Sequence, residues 1–548
     1  MLPSRPYLHP LPEAYYLPYS ATRRFSNLVI DYLQGSENVA TFFSYSPDES
    51  GIMAAVNDRK QFPVNRAALC EVLYEQYKNF PDTESVLENI ALLKDENTFT
   101  ICTAHQPNLG TGYLYFVYKI LHAIKLAAEL NQQISGSRFV PVYYMGSEDA
   151  DLEELGTFRF RDKKFVWDAG SQSGAVGRMN TDSLQPLLQE LFKLFGPPGI
   201  HKDRLEALLI DAYEGHTTIA EATQFLVHGL FGKYGLIVLN PDHALLKKEF
   251  VPVMKADLLE HPGAKIVEQT IGNMQERSYK AQAQPRRINL FYLKDNIRAR
   301  IEKHDQKWLA VDTHLSWTKE ELLTELKLHP ERFSPNVILR PLYQEIILPN
   351  VAFIGGGAEV AYWLLLKDLF QYHQVFYPTV LLRQSIQWIH NEQSRLWKKT
   401  GLTLEEVFSP QHEAEKAYVY SHAERDWHLE EEMVMLEQFA ERLRSKAASA
   451  DPTLEQSADA TIARIKHLMK ALEEKILKAE KLKLQTGLNQ VSRLQEAIFP
   501  GGTLQERVDN FMPFYLEYGP DFFDEILHKL EPLRNEFLVL EIADPQGH

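Results

Sequence analysis

Residues 100–112, Thr-Ile-Cys-Thr-Ala-His-Gln-Pro-Asn-Leu-Gly-Thr-Gly, set a short apolar strand directly before a histidine, an asparagine and two glycines. Leu114, Val117, Leu121, Ile124 and Ala128 then recur at steps of three and four, the period of an amphipathic helix with one buried face. A strand that turns through glycine into a helix is a unit of open α/β sheets, which bind ligands at the carboxyl ends of their strands. Thr111 is positioned to cap this helix. Unpaired N–H groups at a helix start favour a phosphate or carboxylate beside His105 and Asn108; a plain capped turn is the alternative.

Further apolar strands are expected at 138–144, 235–239, 336–340, 351–355 and 376–382, separated by helical patterns. Short buried strands alternating with helices predict parallel crossovers, hence an α/β fold with a doubly wound, Rossmann-like parallel sheet. Residues 1–95 carry helical stretches such as Arg66 to Lys78 and are assigned as an N-terminal cover on a core spanning 96–385. The stretches near 155–230 and 245–333 exceed a normal crossover and are assigned as insertions. Residues 286–293 in the second predict an added strand followed by charged Lys and Arg residues, in a solvated hairpin, with an anion site as the alternative.

From 386 to 500 the composition shifts towards Glu, Lys, Leu and Ala. Ile462, Ile465, Met469, Leu472, Ile476 and Ala479 alternate spacings of three and four, the seam of a coiled coil. A helix over 411–446 can cover that seam by folding back across the break at 448–452; a second copy of the chain is the other candidate, making a homodimer. Residues 501–548 read as packed helices ending in a short strand.

A net charge of −16 argues against general affinity for nucleic acid or an anionic membrane, since phosphate contacts need clustered Lys and Arg. No stretch offers about eighteen uninterrupted apolar residues, and the start lacks an export pattern, so a cytoplasmic location is expected. Cys70 and Cys102 are too few for a Cys-rich metal site, and no metal ligands are assigned.

The second strand ends in Tyr143-Tyr-Met-Gly-Ser-Glu-Asp-Ala-Asp151, which brings Glu148, Asp149 and Asp151 to the same sheet edge as His105. A carboxylate beside an anion site can hold a substrate ammonium, take a proton from an attacking amine or bind a metal through oxygen; solvated loop charges are the alternative. Gly355, Gly356 and Gly357 follow another apolar strand and allow either close ligand approach or tight strand-to-helix packing. Arg340 and Arg383 end their predicted strands, each as an anion contact or a structural ion pair.

These segments, with Leu339-Arg-Pro-Leu-Tyr-Gln-Glu345, Ala352 to Trp363, Gln505-Glu-Arg-Val and Tyr518-Gly-Pro-Asp-Phe522, together resemble the BshC family, the cysteine-adding enzymes of bacillithiol biosynthesis. The likeness runs in order over nearly the whole chain. It implies a core similar to nucleotidyltransferases and class I aminoacyl-tRNA synthetases, and a ligation of L-cysteine to the amine of glucosaminyl-malate. ATP, with Mg as its companion ion, is implied as the activator of the cysteine carboxyl through a cysteinyl-adenylate. His105 and Asn108 then stand in the place of a His-x-Gly-His signature, with Thr111, Gly112, Gly355, Gly356, Gly357 and Arg340 as cofactor-binding residues. Glu148, Asp149 and Asp151 take the proton-accepting or ammonium-binding roles. Asn108 replaces the second histidine, Ala150 replaces the histidine expected between the acidic residues, and no Lys-Met-Ser-Lys-Ser segment is present. A nucleotide-binding scaffold assembling through its coiled coil, or a hydrolase, is the competing reading.

Overall fold

The computed structural model describes residues 12–423 and 429–542. The chain divides into two compact units. One comprises residues 24–387 and 504–540 with the N-terminal segment up to Ser20; the other comprises 388–503 with two short flanking pieces.

The first unit is organised by β1 (Thr98–His105), β2 (Arg138–Met145), β3 (Ile237–Leu239), β4 (Asn350–Gly355) and β5 (Thr379–Leu382), in spatial order β5-β4-β1-β2-β3. All four pairings are parallel, as the short apolar strands predict. Phe99, Ile101, Val140, Val142, Phe353 and Ile354 are almost fully buried, because helices leave such strands no wet face. The helix α1 (Leu114–Gln133) follows β1 and buries Leu114, Val117, Leu121 and Ile124 as its period requires.

Three helices of the N-terminal segment are pinned to the sheet or to the helix that precedes β4 by buried polar bonds. Tyr32 Oη donates to Val380 O (2.7 Å), Arg59 to Glu345 O (3.1 Å) and Leu348 O (2.7 Å), and Tyr77 Oη accepts from Val238 N (2.8 Å). Between β2 and β3 lie the antiparallel hairpin Thr157–Phe160/Lys163–Val166 and the helices Gln185–Phe192, Ile200–Tyr213 and Ile219–Phe231. Between β3 and β4 lies a five-stranded sheet containing the hairpin Leu290–Lys294/Ile297–His304.

Two local expectations are corrected. Residues 336–340 form no strand: the Asn336 side chain accepts the N–H of Ile338 (2.9 Å), Asn336 O accepts that of Arg340 (2.8 Å), and the helix α2 (Arg340–Ile347) starts there with Pro341 in its first turn. Thr111 does not cap α1, whose N-cap residue is Tyr113 and lacks a side-chain bond. The C-terminal segment closes that turn instead, with Asp509 O accepting from Leu114 N (2.8 Å) and Asn510 Nδ2 donating to Gly110 O (2.8 Å).

In the second unit, the expected helix 411–446 is two helices, Gln411–His422 and Glu430–Ala450, because Ala423 adopts extended backbone and Leu429 is not helical. Glu430–Ala450 and Leu454–Lys483 form an antiparallel hairpin within one chain, turned where Asp451 Oδ1 accepts from Thr453 N (2.8 Å) and Oγ1 (2.7 Å). Arg444 pairs with Asp459 (2.5 Å) and Lys466 with Glu437 across it. The hairpin buries Leu436, Ala440, Ala458 and Ile462 and leaves Val434, Met435, Phe439, Leu468 and Leu472 exposed.

Candidate functional site

At the carboxyl ends of the parallel strands a cavity of about 420 Å³ opens, within the range of small-molecule sites. Two chain segments some forty residues apart meet in it. Gly146 N donates to His105 O (2.7 Å), and Tyr143 Oη donates to the carbonyls of His105 (3.1 Å) and Gln106 (3.2 Å). Gln106 Nε2 in turn donates to Asp149 Oδ2 (3.1 Å). The ends of β1 and β2 are thereby held as one rim.

Of the residues singled out in the sequence, His105, Glu148, Asp149, Arg340, Gly356 and Gly357 line this cavity. Asn108, Thr111 and Gly112 lie outside its lining, in the turn behind His105. Asn108 and Thr111 are buried there with side-chain polar atoms unpartnered, and Gly112 has a left-handed φ of 65°, where a Cβ would meet the Asn108 side chain at 3.0 Å. Asp151 is exposed and caps a short helix, accepting from Glu154 N (3.1 Å). Gly355 is buried in β4, one residue short of the lining.

Charges divide into those already neutralised and those still available. Lys119, from α1, pairs with Glu359 and donates to Ala104 O (3.0 Å). Arg383 clamps Glu506 through two bonds of 2.6 Å, so the ion-pair alternative holds for that arginine. Glu148 is paired with Lys247 (2.6 Å), although burial still raises its carboxyl above the usual carboxylate range. Arg340 instead contacts neutral groups, Gln344 Oε1 (2.9 Å) and Tyr362 Oη (3.0 Å). Its guanidinium has hydrogen-bonding partners but forms no ion pair among the described residues; Glu359 and Glu345, each already bonded elsewhere, reach it only through their fields.

His105 completes the rim between the rings of Tyr115 and Phe116, at centroid distances of 5.3 and 5.4 Å. Burial, reinforced by the Lys119 and Arg383 cations, holds its imidazole well below the usual histidine range. It is therefore neutral near pH 7, and its buried Nε2 has no partner in the structure. A neutral imidazole can donate to an oxyanion from the free ring nitrogen in the tautomer that carries its proton there.

Sequence reasoning overlooked Lys119, Glu359, Tyr362 and Arg298. Glu359 and Tyr362 stand inside the glycine-led segment 355–363, where the residues after the glycines carried the signal. Lys119 sits one helical turn beyond Tyr115. Arg298 reaches the cavity from a hairpin inserted between β3 and β4, a placement only the tertiary fold reveals. Among the described residues no group of three His, Cys, Asp or Glu is disposed to hold a metal ion, and no helix is long and apolar enough to cross a membrane.

Comparison with known proteins agrees with this architecture. The family profile for the BshC N-terminal Rossmann-like domain of bacillithiol biosynthesis matches residues 13–384, and that for the BshC C-terminal coiled-coil domain matches 386–542. A protein of Christiangramia forsetii is 38% identical over 532 residues, covering 95% of this chain and 98% of its own. One of Flavobacterium johnsoniae is 38% identical over 526 residues, covering 96% and 99%. One of Bacillus cytotoxicus is 29% identical over 524 residues, covering 91% and 95%. All three bear the name "Putative cysteine ligase BshC". With both profiles and near full-length relatives in agreement, the chain belongs to the BshC family of bacillithiol biosynthesis.

Proposed function

We propose that this protein joins the carboxyl of L-cysteine to the amine of glucosaminyl-malate, forming an amide, with ATP as the activating co-substrate. The observation that carries this reading is the shared cavity, which a neutral His105, an Arg340 outside any ion pair and the carboxylate of Asp149 line together. Condensing a carboxylate with an ammonium needs both kinds of site within one enclosure.

A free carboxylate is a poor acyl donor because its leaving group would be oxide, and ATP supplies a better one. The residues present fit a phosphate-bearing ligand: His105 Nε2 is buried and unpartnered, Arg340 is bonded to neutral groups and forms no ion pair among the described residues, and Gly356 and Gly357 line the cavity. His105 and Arg340 stabilise negative charge that develops as the acyl group is transferred. Asp149, held by Gln106 and by the Ala150 N–H (2.7 Å), orients the substrate ammonium and accepts the proton that the amine releases. The buried Lys119–Glu359 and Arg383–Glu506 pairs fix the side chains around them rather than meeting substrate.

The exposed apolar residues of the arm support a homodimer formed through that hairpin. A cytoplasmic setting, where ATP and reduced thiols coexist, suits the reaction and the two free cysteines. Product analysis tests the proposal. Purified protein with cysteine, glucosaminyl-malate and ATP yields a new thiol amide; nucleotide breakdown with no amide contradicts it and favours a hydrolase.

A further inference from the structure

Arg298 is the one cavity-lining cation supplied by the inserted hairpin, and its setting differs from that of Lys119 and Arg383. Its guanidinium lies over the Phe291 ring, 3.9 Å from the centroid, on the neighbouring strand of the same hairpin. Stacking holds the plane and leaves its edge free for a planar anion. The Nε is buried without a hydrogen-bond partner, and no carboxylate among the described residues forms an ion pair with it. Asp149 and Glu148 are the carboxylates whose fields act on it, yet neither closes to contact.

The hairpin is also braced against the acidic loop. Ser173 Oγ donates to Asn296 O at the hairpin turn (2.7 Å), and Gly174 sits there at φ 88°, where a Cβ would come within 2.9 Å of the Asn296 carbonyl carbon. Three residues on, the same segment is bonded to the rim: Val176 N donates to Asp149 O (2.7 Å) and Gly177 N to Ser147 O (2.9 Å). One strap, 173–177, thus ties the Arg298 hairpin to the Asp149 loop. A cation and a carboxylate are held side by side without neutralising each other.

We infer that Arg298 is the receptor for the free carboxylates of the malyl group, and so selects the second substrate. This rests on the function proposed above. In glucosaminyl-malate the amine-bearing and malate-bearing carbons of the sugar are adjacent, so an ammonium and a dicarboxylate arrive together. Asp149 receives the ammonium and Arg298, on the braced hairpin beside it, receives the carboxylates. The role is one of positioning and specificity: Arg298 fixes the sugar so that its amine faces the acyl group, and forms no bond to the reacting atoms.

The test is calorimetric binding to the full-length chain, with glucosaminyl-malate and its dimethyl ester, which keeps the amine but masks both carboxyls. The wild type binds the diacid more tightly than the diester by about tenfold or more, the scale of a charge-assisted pair. Arg298→Gln loses that preference while its affinity for the diester stays within about twofold, and Arg298→Lys recovers part of it. Unchanged thermal unfolding shows that Arg298→Gln is folded. A wild type that binds both forms alike, or an Arg298→Gln that weakens both equally, overturns the inference. Selective diacid binding without amide formation overturns the proposed reaction and leaves the Arg298 assignment standing.

Discussion

The cavity and the helical arm solve the same problem, placing charged and apolar groups, in opposite ways. Around the cavity the ion pairs are buried, with Arg383 and Glu506 at side-chain exposures of 3% and 1%. In the arm the pair Arg444–Asp459 is exposed at 34% and 50%, and it is the apolar residues Phe439, Leu468 and Leu472 that are left uncovered. Burial makes each cavity interaction stringent, so a cation left outside any ion pair there, such as Arg340, marks a place for a ligand. In the arm the charges are loosely specified, and the unfinished element is the apolar surface.

The sharpest way to break this contrast is to unpair the buried guanidinium. Glu506→Gln is expected to destabilise the protein by about 3–5 kcal/mol in denaturant unfolding, because Arg383 is left charged in an enclosed site. The double replacement Arg383→Met/Glu506→Leu is expected to recover most of that loss. A small cost for Glu506→Gln alone would show that water reaches the pair and that the cavity is less enclosed than described.

Next in size are the chemical substitutions. His105→Ala is expected to lower amide formation about 10²–10³-fold, the scale of one preorganised stabilising group, and Asp149→Asn about 10²-fold, with unfolding midpoints unchanged. The His105 imidazole is held below its usual range, so it stays neutral as pH falls through about 6.5, the ordinary histidine value. No acid limb of the rate near that pH belongs to His105. For stability the sign is the same: the unfolded chain takes up this proton first, so acidification below about 6.5 costs folded stability. An inflection near 6.5 that vanishes in His105→Asn would contradict the buried, neutral assignment.

In the arm, Leu468→Glu is expected to shift the full-length chain from dimer to monomer in sedimentation, with the amide-forming rate per chain read alongside it. A dimer that persists places the interface elsewhere. The smallest effect is expected for Arg444→Ala, below about 1 kcal/mol, since exposed ion pairs gain little over water. A loss as large as that of Glu506→Gln would erase the distinction between the two regions.

The parallel strands were legible because buried strands need continuous apolar runs, and residues 139–145 and 351–354 supply them. Residues 336–340 have the same apolar texture, but the Asn336 side chain turns the backbone and Pro341 begins a helix, so local bonds outweigh the pattern. Thr111 carried the right chemistry for a cap, whereas the closing bonds come from Asp509 and Asn510, some four hundred residues away. Arg298 was hidden for the same reason. Its hairpin was readable, but the strap that carries it to the Asp149 loop is a tertiary contact with no local trace.

The central claim is that His105 and Asp149 serve one bond-forming event in one cavity. Mass-spectrometric measurement of amide formation from cysteine and glucosaminyl-malate with ATP, in the wild type and in His105→Ala and Asp149→Asn, tests it most directly. The account predicts the thiol amide from the wild type and a loss of about 10²-fold or more in each variant. No amide from the wild type, or undiminished rates in both variants, would contradict it.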